Sequence, residues 1–270
     1  MKKLLTLIIT AVLALTACIG LTGCKGCNNN KQTITVGYTL YEPMNYENEY
    51  GVLVGFDTEL ALKTFTDLGF QVRFKLIDWN QKYAELDSGT IGCIWNGFTA
   101  NCADTDGVQR GDKVDFTYNY MTNAQCVIRL NTAPELSSSE QLVGKTVAFE
   151  AGSAGDSYVG AIAGNINKKA VTSQMDAVRE VLSGTAQYAV VDLLLAKSIA
   201  GQGNFANVTI NESIVIDAEY YAIGFKKGSP LTALVNAKLV QYAQDGTLAT
   251  LAEKYGLSNQ VITDYSDQIA

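Results

Sequence analysis

Short apolar, β-branched runs alternate with amphipathic stretches of helical period along this chain, and the alternation passes through two cycles. Parallel strands need a crossover of a dozen or more residues, which a helix supplies. Strands alternating with helices therefore predict parallel α/β sheets. The first cycle reads as strands at Thr33–Tyr38, Val72–Ile77, Ile91–Trp95, Val114–Thr117 and Ala124–Leu130, with helices at Phe56–Leu68 and Asn80–Asp87. In the first helix Asp57 is the expected N-cap, and Leu60, Leu62, Phe65 and Leu68 supply the apolar positions. Residues 99–113 break the pattern and read as loop or irregular helix. A second cycle follows the linker-like Pro134–Ser139, with strands at Lys145–Phe149 and Gln187–Val191 and helices at Ser153–Ala163, Ser173–Leu182 and Leu193–Ala200. Ser173 and Asp176 have capping-box spacing. Ile214–Phe225 reads as extended, and Leu231–Ala243 and Leu248–Tyr255 as two amphipathic helices. At 270 residues the chain is long enough for two lobes of roughly 100 residues each.

Composition removes whole classes of chemistry. The chain contains no histidine, which excludes a Ser-His-Asp triad, a Cys-His pair, a His-ligated zinc and a histidine general base. A net charge of −7 argues against a nucleic-acid partner. No cysteine has metal-ligand spacing, and neither a metal nor a cofactor is expected. Asp104-Thr105-Asp106-Gly107 invites a calcium reading, but the EF-hand pattern would start at Cys102 and end at Lys113, so a solvated loop is expected.

The first residues are an address. Met1-Lys2-Lys3 is a short positive region, and Leu4–Ala17 is an apolar run of 14 residues, too short for the ~18 or more of a spanning helix. Leu15-Thr16-Ala17-Cys18 and Leu21-Thr22-Gly23-Cys24 both resemble the bacterial lipobox, in which the cysteine becomes the lipidated first residue. Cys24 is preferred, because the polar Lys25–Asn30 that follows suits a tether. The expectation is a signal peptide over 1–23, a tether over 24–31, and an exported protein lipid-anchored to the outer face of the cell membrane, or periplasmic. Losing Lys2 and Lys3 takes the net charge from −7 to −9. Cys27, Cys93, Cys102 and Cys126 remain in the mature chain, and export permits disulfides. Their pairing is open. Cys93 reads as a buried thiol, and Cys102 with Cys126 is one candidate bridge.

An ordered set of signatures runs through the mature chain: Val36–Tyr46, Gly55–Ala61, Asp78-Trp79, Ile94–Thr99, Arg110 four residues before Val114–Thr117, Ala151–Gly155 after Gly144–Val147, Val190–Asp192, Tyr221–Gly228 and Asp245–Thr247. The set resembles the extracytoplasmic solute-binding proteins (family 3) of polar amino acid ABC transporters, over nearly all of residues 32–257. The resemblance implies a two-lobed periplasmic-binding-protein-like fold of type II, with lobe 1 at 32–122 plus 219–270 and lobe 2 at 123–218. Ala124–Leu130 and Ile214–Ala222 would cross between the lobes as a hinge, and the ligand would sit in the cleft. It also implies a monomer that takes a free amino acid and delivers it to a membrane permease.

The chemistry of such a ligand selects side chains. A carboxylate fits a planar, always-charged fork, and the family position of that arginine is Arg110. Backbone N–H groups at Ser153, Ala154 and Gly155 would assist at a helix start. The ammonium would meet Asp192, the Gly97 carbonyl and the Thr99 hydroxyl, with Asn96 bordering the pocket. Tyr41 and Trp79 would sandwich the ligand. Trp95 continues an apolar strand and reads as core.

Three departures from the family pattern stand out. Residues 100–109 are longer than the family's connection, Gly92 replaces an aspartate, and Ala154 replaces a threonine or serine. The same fold also resembles cyclohexadienyl and arogenate dehydratases, which need a cleft acid, and Glu42 and Glu150 are the candidates. A sensor subunit with the same pocket is a third reading. Glu42, beside Tyr41, is a candidate selector of a basic side chain.

Overall fold

The computed structural model describes residues 31–214 and 216–269. The signal peptide, Cys18, Cys24 and Cys27 lie outside the described residues.

The first half of the chain gives β1 (Thr33–Tyr38), a small antiparallel pair β2 (Tyr46–Glu47) and β3 (Leu53–Val54), α1 (Phe56–Asp67) and β4 (Gln71–Leu76). Next come α2 (Lys82–Asp87), β5 (Cys93–Ile94), α3 (Arg110–Lys113) and β6 (Asp115–Phe116). β1 pairs in parallel with β4 and β5. Its alternation sends Ile34 and Val36 against Phe56, Leu60 and Phe65 of α1. Ile77, Trp79, Leu86, Ile91, Ile94 and Phe98 form a second buried cluster. A parallel sheet needs both faces covered, and the sequence supplies both.

The long strand β7 (Met121–Leu130) follows. Then come β8 (Thr146–Glu150), α4 (Ala154–Ala161), β9 (Asn167–Val171), α5 (Gln174–Leu182), β10 (Tyr188–Asp192), α6 (Leu193–Ile199) and β11 (Val208–Ile210). β10 and β9 flank β8 in parallel, and β7 runs antiparallel to β10 and β11. Val147, Phe149, Tyr188 and Val190 face one apolar cluster, whereas Ala148, Ala189 and Val191 face the other. The chain returns through β12 (Ala218–Tyr221) to β13 (Gly224–Phe225), and ends in α7 (Leu231–Gln244) and α8 (Thr247–Lys254).

Two sheets result, in the orders β4-β1-β5-β13-β6 and β11-β7-β10-β8-β9. β7 joins them. Met121–Ala124 pair with Tyr221–Ala218 of β12, and Gln125–Arg129 pair with Asp192–Tyr188 of β10. β12 then leads within three residues to β13, which pairs with β5 and β6 of the first sheet. These are the two crossovers of a two-lobed fold.

Several local expectations are corrected. Gly55, not Asp57, caps α1, and Asp57 is fully buried inside the first turn. Leu62 is exposed, because it lies two residues from Leu60 and so on the opposite face. β2, β3 and β11 are too short, and β9 too polar, to announce themselves. Within the extended Ile214–Phe225 the structure has two separate strands, β12 and β13. Cys102 and Cys126 are free thiols, as is Cys93, so the candidate bridge is absent. Cys126 is buried on β7 beneath the second sheet, whereas Cys102 lies in the 100–109 connection.

Gly55 sits where a side chain has no room. Its φ is +125°, and a Cβ there would fall 2.2 Å from the Met44 carbonyl oxygen. Gly55→Ala should therefore cost about 2–3 kcal/mol or more, from the strained φ and the forced backbone shift together. Urea unfolding would register this as a lower midpoint with an unchanged slope.

Candidate functional site

In an open α/β sheet the carboxyl ends of parallel strands form the natural crevice for a ligand. Here both sheets contribute such ends. β5 runs into Trp95–Thr99, β8 ends at Glu150, and β10 ends at Asp192. A narrow, tightly closed cavity lies among them. Trp79, Asn96, Gly97, Thr99 and Arg110 line it from the first lobe, and Glu150, Ser153, Ala154, Gln174 and Asp192 from the second. Of the residues predicted from sequence, Tyr41, Gly155 and Glu42 are missing from this lining. Tyr41 is buried behind Gly97, and its hydroxyl is 2.7 Å from that of Tyr221. A Cβ on Gly97, whose φ is +55°, would meet the Tyr41 ring at 2.7 Å. Tyr41 thus forms the wall on which the Gly97 turn rests. Trp95 is fully buried and packs edge-on against Phe65.

Arg110 opens α3 and is only 1% exposed. Its Nε donates to Asp104 at 2.8 Å, its Nη1 to the Thr99 carbonyl at 3.2 Å and its Nη2 to the Gly152 carbonyl at 3.3 Å. Asp104 also accepts from Lys113 at 2.8 Å. Burial works against the Asp104 carboxylate, but Arg110 and Lys113 more than offset it and hold it at about 2. The connection expected to be a solvated loop therefore carries a largely buried anion that fixes one edge of the Arg110 guanidinium. The two Nη groups face backbone carbonyls, which a ligand carboxylate would outcompete as a charged acceptor.

Asp192 lies opposite. It is 5% exposed and accepts from the side-chain amides of Asn123 (3.0 Å), Gln125 and Gln174. Asn123 and Gln125 come from β7, where period-2 alternation turns both toward the cleft. They also donate to Glu219 of β12, at 3.1 and 3.0 Å. Glu219 accepts from the Thr99 hydroxyl at 3.2 Å as well. The crossover strands thus orient the Asp192 carboxylate. Burial pushes the pKa of Asp192 up to about 7, with the neighbouring Glu219 charge adding to the effect, and burial also raises that of Glu219.

The remaining groups follow from local structure. Ser153 caps α4, its hydroxyl accepting from the Asp156 N–H at 3.1 Å. The Gly97 N–H donates to Asp57 at 2.8 Å, and Tyr120 donates to the same oxygen at 2.9 Å. Asp57 therefore holds the Gly97 turn, and burial raises its pKa to about 7 despite those bonds. Asn96 donates to the Thr39 carbonyl at 2.9 Å and to Asn45 at 2.7 Å. The Trp79 ring meets Phe98 edge-on at 5.3 Å, and Lys82 stands 5.0 Å from the Trp79 ring centre. Lys82 itself is buried. Its amine donates across the cleft to the Gly152 carbonyl at 2.9 Å, and burial, then Arg110, pulls its pKa down to about 7. Ser157 to the Ala103 carbonyl (2.9 Å) and Ser198 to the Glu42 carbonyl (3.1 Å) span the same gap, so the lobes are closed on one another. Glu42 is half-buried and outside the cavity lining.

Sequence reasoning missed Asp57, Lys82, Asp104, Gln125, Gln174 and Glu219. The polar pair Asn123 and Gln125 inside an otherwise apolar strand was the available signal. Among the described residues no group of three or more Cys, Asp or Glu side chains is placed to hold a metal ion. A wider, more open groove lies between Thr39, Leu40 and Leu76–Asp78 on one side and Thr172–Arg179 on the other. It has no buried ion facing it.

Residues 34–258 match the profile of the bacterial extracellular solute-binding proteins, family 3. The chain belongs to that family. The arginine-binding extracellular protein ArtP of Bacillus subtilis (strain 168) is 27% identical over 94% of this chain and 98% of its own length. The L-cystine-binding protein TcyA of the same organism is 27% identical, over 83% of this chain and 81% of its own length. An ancestral arginine-binding protein solved with arginine bound superposes with a TM-score of 0.75 at 28% identity, covering 83% of this chain and 98% of that one. As a family 3 solute-binding protein, the chain shares the type II two-lobed architecture. Among the described residues no helix is long and apolar enough to cross a membrane.

The buried carboxyls set the stability of this family 3 protein against pH. Asp57, Glu150, Asp192 and Glu219 all hold protons more tightly folded than unfolded. Between the unfolded values near 4 and the raised folded values, the native state binds more protons, so stability falls as pH rises. Asp104, held at about 2, acts only below that window, and Lys82, pulled down to about 7, opposes the trend only above pH 7 and as one group against four. The ligand-free protein should therefore melt at a higher temperature at pH 5 than at pH 8, measured by calorimetry. A rising melting temperature over that interval would contradict the assignment.

Proposed function

We propose that this chain binds a free amino acid outside the cytoplasm and delivers it to an ABC transporter permease. The observation that carries this reading is the pairing of Arg110 and Asp192. Both are buried, on opposite lobes, and both line one closed cavity. A guanidinium facing a carboxylate across a cleft complements a zwitterion, whose carboxylate takes Arg110 and whose ammonium takes Asp192. Trp79 supplies an apolar wall, and Thr99, Ser153 and the Gly97 turn supply polar contacts. The arginine-binding and cystine-binding relatives support an amino acid as the ligand.

In this reading the lobes are residues 32–122 with 219–270, and residues 123–218. Cys24 anchors the protein by lipid to the outer face of the membrane, and the protein works as a monomer. Opening about β7 and β12 admits the ligand, and closure expels water so that the ion pairs strengthen.

Calorimetric titration of the unfolded and refolded protein against the twenty amino acids, ornithine and cystine tests the reading. Micromolar or tighter binding of a small subset is expected, weakened roughly 100-fold or more by Arg110→Ala, which strands a buried ligand carboxylate. Absence of binding across the panel would sink the proposal.

One observation favours a second reading. Glu150 is a cleft acid that burial, and then Asp192, holds well above the usual carboxylate range, the property a dehydratase acid needs. We favour binding, and expect no product from arogenate or prephenate incubated with the protein and followed by chromatography.

A further inference from the structure

Glu150 ends β8 and is 2% exposed. It lines the cavity between the lobes. Its Oε1 is fully buried and has no hydrogen-bond partner. Several other buried polar atoms of the described residues lack partners, such as those of Asp57, Trp95 and Tyr265, but none of them belongs to a residue that lines this cavity. A buried carboxylate oxygen without a donor is costly, and in a native site it calls for an explanation.

No neighbouring side chain supplies one. Arg110 spends its Nε on Asp104 and its two Nη groups on backbone carbonyls. Lys82 donates to the carbonyls of Gly152 and Trp79. Gln174 is committed to Asp192, through both its amide nitrogen and its carbonyl. Charge gives the same answer. A neutral zwitterion satisfies Arg110 with its carboxylate and Asp192 with its ammonium. Burial and Asp192 then oppose the charge of Glu150, Lys82 and Arg110 only partly offset them without hydrogen-bonding to it, and its carboxyl holds a proton well above the usual range. A ligand with one further cationic nitrogen supplies the missing donor and favours the charged form.

We infer that Glu150 is the specificity-determining contact of this site, accepting from a second cationic group on the ligand, so that the protein takes amino acids with a positively charged side chain. The inference rests on the proposed amino acid site and adds its substrate class. It places selection on the second lobe, at the end of a buried strand, and not on Glu42 of the first lobe. Glu150 lies beside the turn whose Gly152 carbonyl is held by Arg110 and Lys82, so the contact forms as the lobes close.

The test is a competition titration of the refolded, ligand-stripped protein with arginine, lysine, ornithine, glutamine and glutamate, on wild type and on Glu150→Gln. The substitution keeps the shape, removes the charge and replaces one acceptor oxygen with an amide donor that a ligand cation cannot use. Wild type is expected to prefer the cationic ligands, and Glu150→Gln to reduce the arginine-to-glutamine affinity ratio roughly 10- to 100-fold. Lys82→Met serves as the second variant. If both variants lower the melting temperature and neither changes the ranking of ligands, Glu150 serves Lys82 and the inference is overturned. A wild-type preference for neutral or acidic ligands, with binding still dependent on Arg110, overturns the substrate class alone. Failure of every amino acid to bind, or binding indifferent to Arg110→Ala, overturns the underlying reading instead.

Discussion

Taking an ion out of water costs several kcal/mol unless other groups replace its hydration, and this fold buries Arg110, Asp192, Glu150, Glu219 and Lys82 around one small space. Much of the structure near the cleft answers that cost. Asp104 and two carbonyls surround the guanidinium, and three side-chain amides surround Asp192. The 100–109 connection supplies Asp104, β7 supplies Asn123 and Gln125, and α5 begins with Gln174. What the protein leaves unbalanced is the part left for a ligand.

Closure depends on the same groups. The Gly152 carbonyl, at the turn into α4, accepts from both Lys82 and Arg110 of the opposite lobe. The β7–β12 pair that joins the lobes also carries Asn123, Gln125 and Glu219. Site and hinge are therefore continuous: a change in the charge of Asp192 or Glu219 acts on the strands about which the lobes would move. A ligand shifts an open–closed equilibrium only by binding one state better, and charges from both lobes meeting on one molecule provide that difference.

The architecture was legible because its carriers are apolar and periodic. β1, β8 and β10 are buried on both faces, and their sequences say so. Most of the residues that line the cavity were legible through the ordered motifs, Arg110 and Asp192 among them, but Gln174 was not. What escaped is polar and long-range. Asp57 has the sequence position of a helix cap, yet Gly55 takes that place, and Asp57 turns inward to Gly97, 40 residues away. Asp104 looked like part of a solvated calcium-like loop because composition does not reveal that Arg110 folds back on it. Short edge strands such as β9, with Asn167, Lys168 and Lys169, lack the apolar alternation on which a prediction rests. Tyr41 has the expected aromatic character, but the Gly97 turn stands between it and the cavity.

The most direct measurement is a crystal structure of the refolded protein with the tightest binder of the amino acid panel. The account predicts density in the cavity between the two sheets, with the ligand carboxylate about 3 Å from the Arg110 guanidinium and its ammonium on Asp192. Density instead in the open groove beside Thr39, Leu76 and Arg179, with the Arg110 nitrogens still on the Thr99 and Gly152 carbonyls, would contradict it.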